Sequence, residues 1–265
     1  MPDPRSYLFV PGQRPDRFAK AAASGAQAII LDLEDAVGPE QKGEARSHVA
    51  SWLADGGAGL VRVNGQGTPW FDDDLAMLAA APSTGVMVPK ADPQALAEVA
   101  ARLPGRPLLA LIETAAGLAS LREAARVPGV ARLAFGNIDF SADLGLDGPD
   151  EALDPARFEI VLASRLADLP PPVDGVRVEL EDAAGLSAEV VRKRGLGFGA
   201  KLCIHPAQVG PVNAGFAPSE AEIAWARRIE AAMAEAAGSA VRVDGKMVDK
   251  PVLDKARRIL ANAPG

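Results

Sequence analysis

Eight short, nearly unbroken apolar runs, each followed by a polar or helix-like stretch, constrain the fold of this chain most. The runs are Ser6–Val10, Ala28–Leu33, Leu60–Asn64, Val86–Lys90, Leu108–Glu113, Arg132–Gly136, Val173–Val178 and Ala200–His205. Continuous rather than alternating apolar character is what strands covered on both faces require. Between them lie helical candidates: Pro15–Ser24, Pro39–Trp52, Phe71–Ala80, Pro93–Arg102, Ala115–Arg126, Pro155–Leu169 and Asp182–Lys193, the last with a stop predicted at Gly195. Proline suits the first turn of several of them. Strand followed by helix, repeated, predicts a parallel α/β sheet. Eight such units within residues 1–211 fit a (β/α)8 TIM barrel, with a doubly wound open sheet as the competing arrangement.

Residues 212–265 leave the alternation and read as a C-terminal helical extension, packing on the barrel or on a neighbouring subunit. Ser219 to Glu222 carries a capping-box pattern, and the helix it opens is expected to run to about Ala237 and stop at Gly238. The run Val241–Asp249 and a last helix rich in Lys and Arg follow.

Composition narrows the function classes. The chain has 265 residues, 48% of them hydrophobic but only 5% aromatic, so the core must be built from Ala, Val, Leu and Ile. A formal net charge of −7 disfavours a general nucleic-acid binder. One cysteine, Cys203, excludes an internal disulfide, and one Cys with two His excludes a conventional structural zinc site. No apolar run has the length of a membrane span, and the apolar run near the N-terminus is too short for a signal peptide. The expectation is a soluble cytoplasmic protein.

Function in such a barrel sits where strands end. Here the ends carry Asp32, Glu34 and Asp35; Arg62 and Asn64; Lys90; Glu113; Asn137 and Asp139; and His205. Glu113 and Asp139 follow consecutive strands, so their carboxylates should be neighbours. Two unpaired carboxylates repel, and either one takes a proton or a cation joins them. Oxygen ligands without His or Cys point to Mg2+; pairing of each with Arg62 or Lys90 is the alternative. Arg62, flanked by apolar residues, must be paired. It either holds a substrate carboxylate or developing enolate oxygen, or bridges Glu34 or Asp35. Lys90 reads as a paired lysine rather than an imine former, and Cys203 as an inert core thiol. The first two helices bring Arg14, Arg17, Lys20, Lys42 and Arg46, which as a group suit either a phosphorylated ligand or ordinary solvated faces. Gly195–Gly199 precedes a strand instead of following one, the wrong context for a dinucleotide fingerprint.

Nine motifs in order carry a family resemblance. They are Arg5–Gly12 (RSYLFVPG), Asp32–Val37 (DLEDAV), Arg62–Asn64 (RVN), Gly67–Phe71 (GTPWF), Val88–Lys90 (VPK), Glu113–Ala115 (ETA), Phe135–Phe140 (FGNIDF), Gly199–Gln208 (GAKLCIHPAQ) and Asp244–Asp249 (DGKMVD). Together they resemble the CitE-like branch of the HpcH/HpaI aldolase and citrate lyase β-subunit family. The resemblance implies a Mg2+-dependent lyase that cleaves or forms a C–C bond in an acyl-CoA thioester of citramalyl, malyl or citryl type, releasing a keto acid. It implies Glu113 and Asp139 as metal ligands, Glu113 and Arg62 in the chemistry, and Arg62 with Glu34 and Asp35 at the substrate. Asp249 matches a catalytic aspartate that relatives place over a neighbouring subunit's site. Lys20, Lys42 and Arg46 match basic residues that contact CoA. A homo-oligomer, trimer or hexamer, is the expectation. Three rivals accompany this reading: a malyl-CoA-type thioesterase, a CoA-independent class II aldolase, and a citrate lyase β-type subunit that needs a partner.

Overall fold

Strand β1 (Ser6–Pro11) pairs in parallel with β2 (Ala28–Asp32) on one side and with β8 (Ala200–Cys203) on the other, so the sheet has no free edge. Between them run β3 (Leu60–Arg62), β4 (Val86–Val88), β5 (Leu108–Ile112), β6 (Val130–Phe135) and β7 (Val173–Asp174), in sequence order, closing an eight-stranded parallel barrel. The protein is thus an α/β protein built on a (β/α)8 TIM barrel, and the open sheet is excluded. The computed structural model describes residues 3–81, 84–236 and 240–263.

The helices between the strands begin where local chemistry dictates. Pro15 and Pro39 each open a short 3-10 turn that runs into an α-helix, Phe18–Ala22 and Lys42–Ala54. Asp92 caps Pro93–Arg102 by accepting from Ala95 N, and Thr114 caps Ala115–Ala119 by accepting from Gly117 N.

Four local expectations need correction. Strand β7 covers only Val173–Asp174 instead of reaching Val178. The helix expected over Ala115–Arg126 is two short pieces, Ala115–Ala119 and Leu121–Ala124, parted at Ser120. Ser120 Oγ bonds back to Ala116 O at 2.9 Å, the kind of contact that competes with a regular helix. A helix absent from the sequence reading, Asn137–Leu144, follows β6. The helix after β7, Ala183–Leu196, passes through Gly195 and stops at Gly197, whose φ of 107° makes it the left-handed cap.

Period-two alternation decides what fills the barrel. Tyr7, Ile30, Met87, Leu109, Ala134, Val173 and Ala200 pack together inside it. Arg132 lies within the same bore, donating to Pro4 O, Pro171 O and Tyr7 Oη, and so ties the ends of the chain segments there. The alternate residues of β7 and β8 face the helices and carry charge. Asp174 accepts from Arg157 Nε at 3.0 Å and Lys201 Nζ at 2.7 Å, and all three side chains are within 1% of fully buried. Lys193 is also buried, not on an outer face, and bonds Asp150. The segment Leu153–Arg157 therefore supplies part of a structural ion cluster, Arg157 pairing with Asp150, Asp154 and Asp174.

Two compact units divide the chain, Pro4–Asn213 and Ala214–Gly265 with Met1–Asp3. The smaller unit holds helix Glu220–Glu235, the antiparallel hairpin β9 (Val241–Val243) and β10 (Lys246–Val248), and helix Lys250–Ala261. Ala226, Ile229, Met233, Val248 and Ala256 form its own core. The reciprocal Ser219–Glu222 capping box opens its first helix, while the stop expected at Gly238 lies outside the described residues. Among the described residues no helix is long and apolar enough to cross a membrane.

Candidate active site

The inward parity of the strands continues past the apolar bore into a cavity at their C-terminal ends. Two residues after Ile30 comes Asp32; after Leu60, Arg62; after Leu111, Glu113; after Leu202, Ile204. Asp32, Arg62, Glu113, Asp139 and Ile204 all line one cavity of about 470 Å3. The same alternation that packs the barrel thus delivers the polar groups to one chamber.

Arg62 is its best-fixed cation. Strand register puts Asp32 directly beside it. The two form a fork: Arg62 Nε and Nη2 each donate to a different Asp32 oxygen at 2.7 Å. Nη1 lies 2.9 Å from Glu34 Oε2 and 3.5 Å from Asp35 Oδ2, and the guanidinium carbon sits 4.8 Å from the Phe9 ring centre. Burial works against the charge, but Asp32 and the other carboxylates outweigh it and hold the proton more firmly than usual. Arg62 therefore bridges Glu34 and Asp35, as one reading of the sequence held, yet its principal partner is Asp32. Sequence reasoning passed over Asp32 as a site residue. Its signal was a lone carboxylate closing an apolar strand next to a strand closed by arginine.

Glu113 sits 1% exposed at the end of β5. One oxygen accepts the Lys90 backbone N–H at 2.7 Å. Lys90 presents that N–H from a left-handed backbone, φ 47°, a conformation that costs a non-glycine residue of order 1 kcal/mol. A Cβ on Gly136 would lie 2.5 Å from Glu113 Cβ and 2.6 Å from its Oε2, so glycine alone leaves room for the carboxyl. Burial, and then the nearby Glu34 charge, push Glu113 up to about 8. Lys90 pairs its ammonium with Glu34 Oε1 at 2.7 Å, and half of its side chain is exposed.

Asp139 lies in the first turn of the Asn137–Leu144 helix and lines the same cavity as Glu113. Asn137 fixes that turn against the segment after β7: its Oδ1 accepts from Val176 N at 2.8 Å, and its Nδ2 donates to Val176 O at 3.1 Å. The amide occupies the space a Cβ on Gly175 would fill. Sequence reading recorded Asn137 only as a polar strand end. A carboxyl pushed up by burial and by the Glu34 charge, lining one cavity with the Asp139 carboxylate, suits a hard divalent cation. Such a cation takes one or two carboxylates and leaves positions for water and substrate. Among the described residues no group of three or more His, Cys, Asp or Glu side chains that could hold a metal ion gathers.

The three basic candidates separate. Lys42 is buried, and its ammonium donates to Leu33 O, Glu34 O and Asn64 Oδ1 at 2.8, 2.7 and 2.6 Å. Those three bonds use every donor the ammonium has, so Lys42 shapes the β2 and β3 ends from behind. Arg46 donates to Asp74 Oδ1 at 2.8 Å, and Asp74 in turn binds the Asn64 side chain at 2.6 Å; Arg46 Nη2 is buried with no hydrogen-bond partner. Lys20 is exposed on helix Phe18–Ala22. Asp249 belongs to the smaller unit, where it caps helix Lys250–Ala261 by accepting from Val252 N. His205 caps the turn after β8, its Nδ1 accepting from Ala207 N at 3.2 Å. Cys203 is fully buried and pushed up to about 12 by burial, an inert thiol.

The profile of the HpcH/HpaI aldolase/citrate lyase family matches residues 5–206, three quarters of the chain and nearly the whole barrel. The chain belongs to this family. Among relatives, the citrate lyase subunit beta-like protein of Deinococcus radiodurans is 41% identical, over 97% of this chain and 96% of that protein. The (3S)-malyl-CoA thioesterase of Cereibacter sphaeroides is 39% identical, over 98% and 94%. The L-malyl-CoA/beta-methylmalyl-CoA lyase of Cereibacter sphaeroides is 37% identical, with the same coverage, 98% and 94%. CitE of Mycobacterium tuberculosis, solved with magnesium, acetoacetate and coenzyme A, superposes with a TM-score of 0.87 at 35% identity, covering 98% of this chain and 97% of that one.

Proposed function

We propose that this family member is a magnesium-dependent carbon–carbon lyase for a β-hydroxyacyl-CoA thioester of citramalyl, malyl or citryl type. One observation carries the reading: Glu113 and Asp139 share a cavity with an arginine already clamped by Asp32. Glu113 and Asp139 would hold the ion, whose chemistry is to polarise the substrate's hydroxyl and carboxylate oxygens and lower the hydroxyl's pKa.

In the cleavage direction the β-hydroxyl gives up its proton and the bond between its carbon and the thioester α-carbon breaks. The bonding pair passes to the α-carbon as a thioester enolate, and a keto acid leaves. Arg62 offers fixed positive charge and its remaining N–H groups to the keto acid's oxygens, without needing to reorganise, because Asp32 already holds it. Leu111 and Leu202 add apolar lining against which the enolate would form. The enolate carbon then takes a proton, for which Asp249, contributed within a homo-oligomer, is the proposed donor. Lys20 is the proposed contact for a CoA phosphate, being exposed and cationic.

Relatives named thioesterases favour a second reading, hydrolysis of the thioester in the same cavity. A mass-spectrometric product assay on citramalyl-, malyl- and citryl-CoA, with Mg2+ and with EDTA, separates the two. Acetyl-CoA plus a keto acid, formed only with Mg2+, is the expected result. Free CoA with an intact hydroxy acid would assign the hydrolase, and full activity of Glu113→Ala would refute both.

A further inference from the structure

The walls of the cavity differ in kind. Asp32, Asp35, Glu113 and Asp139 bring carboxylates to it, whereas Arg62 is its one cation among the described residues. That guanidinium is already shared by Asp32 and Glu34. Lys90 is not part of the lining, and its ammonium is bonded to Glu34. From β8 and the segments just after β7 and β8 the lining is hydrocarbon only: Val176, Leu202 and Ile204, joined by Ile138 from the Asn137–Leu144 helix. The cations that β7 and β8 could offer point elsewhere. Lys201 faces outward to Asp174 and Glu189, and His205 turns its Nδ1 to its own capping turn.

Resting on the lyase reading above, we propose that Ile138, Val176 and Ile204 read the substituent on the carbon that becomes the keto group. The keto acid then carries hydrogen or a small alkyl group there, as glyoxylate and pyruvate do, and one with a second carboxylate, as in oxaloacetate, is refused. A carboxylate pressed against hydrocarbon loses its water and gains no donor. The lining it enters already carries four carboxylates, Asp32, Asp35, Glu113 and Asp139, against the one guanidinium of Arg62. An alkyl group on the same carbon meets no such penalty, and one methyl more or less is worth about 1–3 kcal/mol, roughly 10- to 200-fold. The wall therefore separates charged from alkyl substituents.

The test measures binding of pyruvate, glyoxylate and oxaloacetate to the Mg2+-loaded protein by calorimetry, with the metal in excess. Turnover of citramalyl-, malyl- and citryl-CoA follows, read as both acetyl-CoA and free CoA. Oxaloacetate should bind at least 10-fold more weakly than pyruvate, and citryl-CoA should show kcat/KM at least 100-fold below citramalyl-CoA. Oxaloacetate binding as tightly as pyruvate, or no keto acid binding at all, overturns the proposal. Absence of acetyl-CoA from every thioester overturns the lyase reading instead, since the binding order still judges the wall. Ile204→Lys, at a half-exposed position on the rim, should narrow the oxaloacetate gap at least 10-fold. An unchanged gap in the folded variant counts against the wall. Ile138→Lys asks the same question from the Asn137–Leu144 helix.

Discussion

Asp32→Asn is the sharpest probe of how the cavity is held together. The carboxylate accepts four hydrogen bonds: from Arg62 Nε and Nη2 at 2.7 Å, from Glu34 N at 2.9 Å and from Ala36 N at 3.3 Å. An asparagine keeps one acceptor and turns an NH2 group toward donors. Side-chain exposures of 1% for Asp32 and 9% for Arg62 leave solvent little part in screening the loss. Breaking a buried pair from one side costs about 3–5 kcal/mol. Glu34 and Asp35 remain near the guanidinium, which places the expected loss at the lower end, about 3 kcal/mol. For a protein of this size that lowers Tm by roughly 6–10 °C. Asp35→Asn is the internal control: its carboxylate is 57% exposed and 3.5 Å from the same guanidinium, so it should cost under about 1 kcal/mol. Urea unfolding followed by far-UV circular dichroism at pH 7.5 measures both. If Asp32→Asn falls within about 1 kcal/mol of the wild type, or no further from it than Asp35→Asn, the buried-clamp argument is wrong.

Further outcomes follow from the same geometry. Gly136→Ala must push the Glu113 carboxyl aside, so Mg2+ affinity by calorimetry should fall about 10- to 100-fold with the circular dichroism spectrum retained; unaltered affinity would dissociate Glu113 from the metal. Asn137→Ala removes both ties to Val176 and should weaken Mg2+ binding in the same direction, without the steric cause. Lys201 and Arg157 outweigh burial and hold Asp174 below the usual carboxylate range. A carboxyl lowered by folding stabilises above its unfolded pKa, and that contribution disappears as pH falls through the folded value. Wild type should therefore lose stability steeply below about pH 4, whereas Asp174→Asn should start less stable at pH 7 and show a flatter acid limb in urea titrations. Lys42→Met should lower thermal stability far more than it raises KM for a CoA thioester, because all three ammonium bonds are internal; Lys20→Ala should do the reverse.

Much of the architecture was legible because strands buried on both faces must be continuously apolar. Eight such runs with helical spacers leave few folds to choose from, and the strand that closes the barrel was already counted as the eighth. Glu113, Asp139 and Arg62 stood out for a related reason: a charged group at the end of an apolar strand is expensive unless the protein uses it. Boundaries failed where short-range chemistry was weak. Gly195 could have ended its helix, but only Gly197 takes the left-handed conformation. The helix holding Asp139 was hidden within the motif that drew attention to it.

What the linear pattern determined, then, was parity: which residues face the bore and which strand ends carry oxygen or guanidinium. What only the folded chain decided was partnership. Asp32 became the clamp on Arg62 because β2 and β3 align those two residues side by side. Lys42, read as one of a surface group, was drawn inward because three oxygen acceptors from two segments, the ends of β2 and β3, converge on one point. Lys193 likewise turned inward to complete a cluster with Asp150. Periodicity is a local property and survives in sequence; the pairing of charges across tens of residues depends on register and distance, which exist only after the barrel closes.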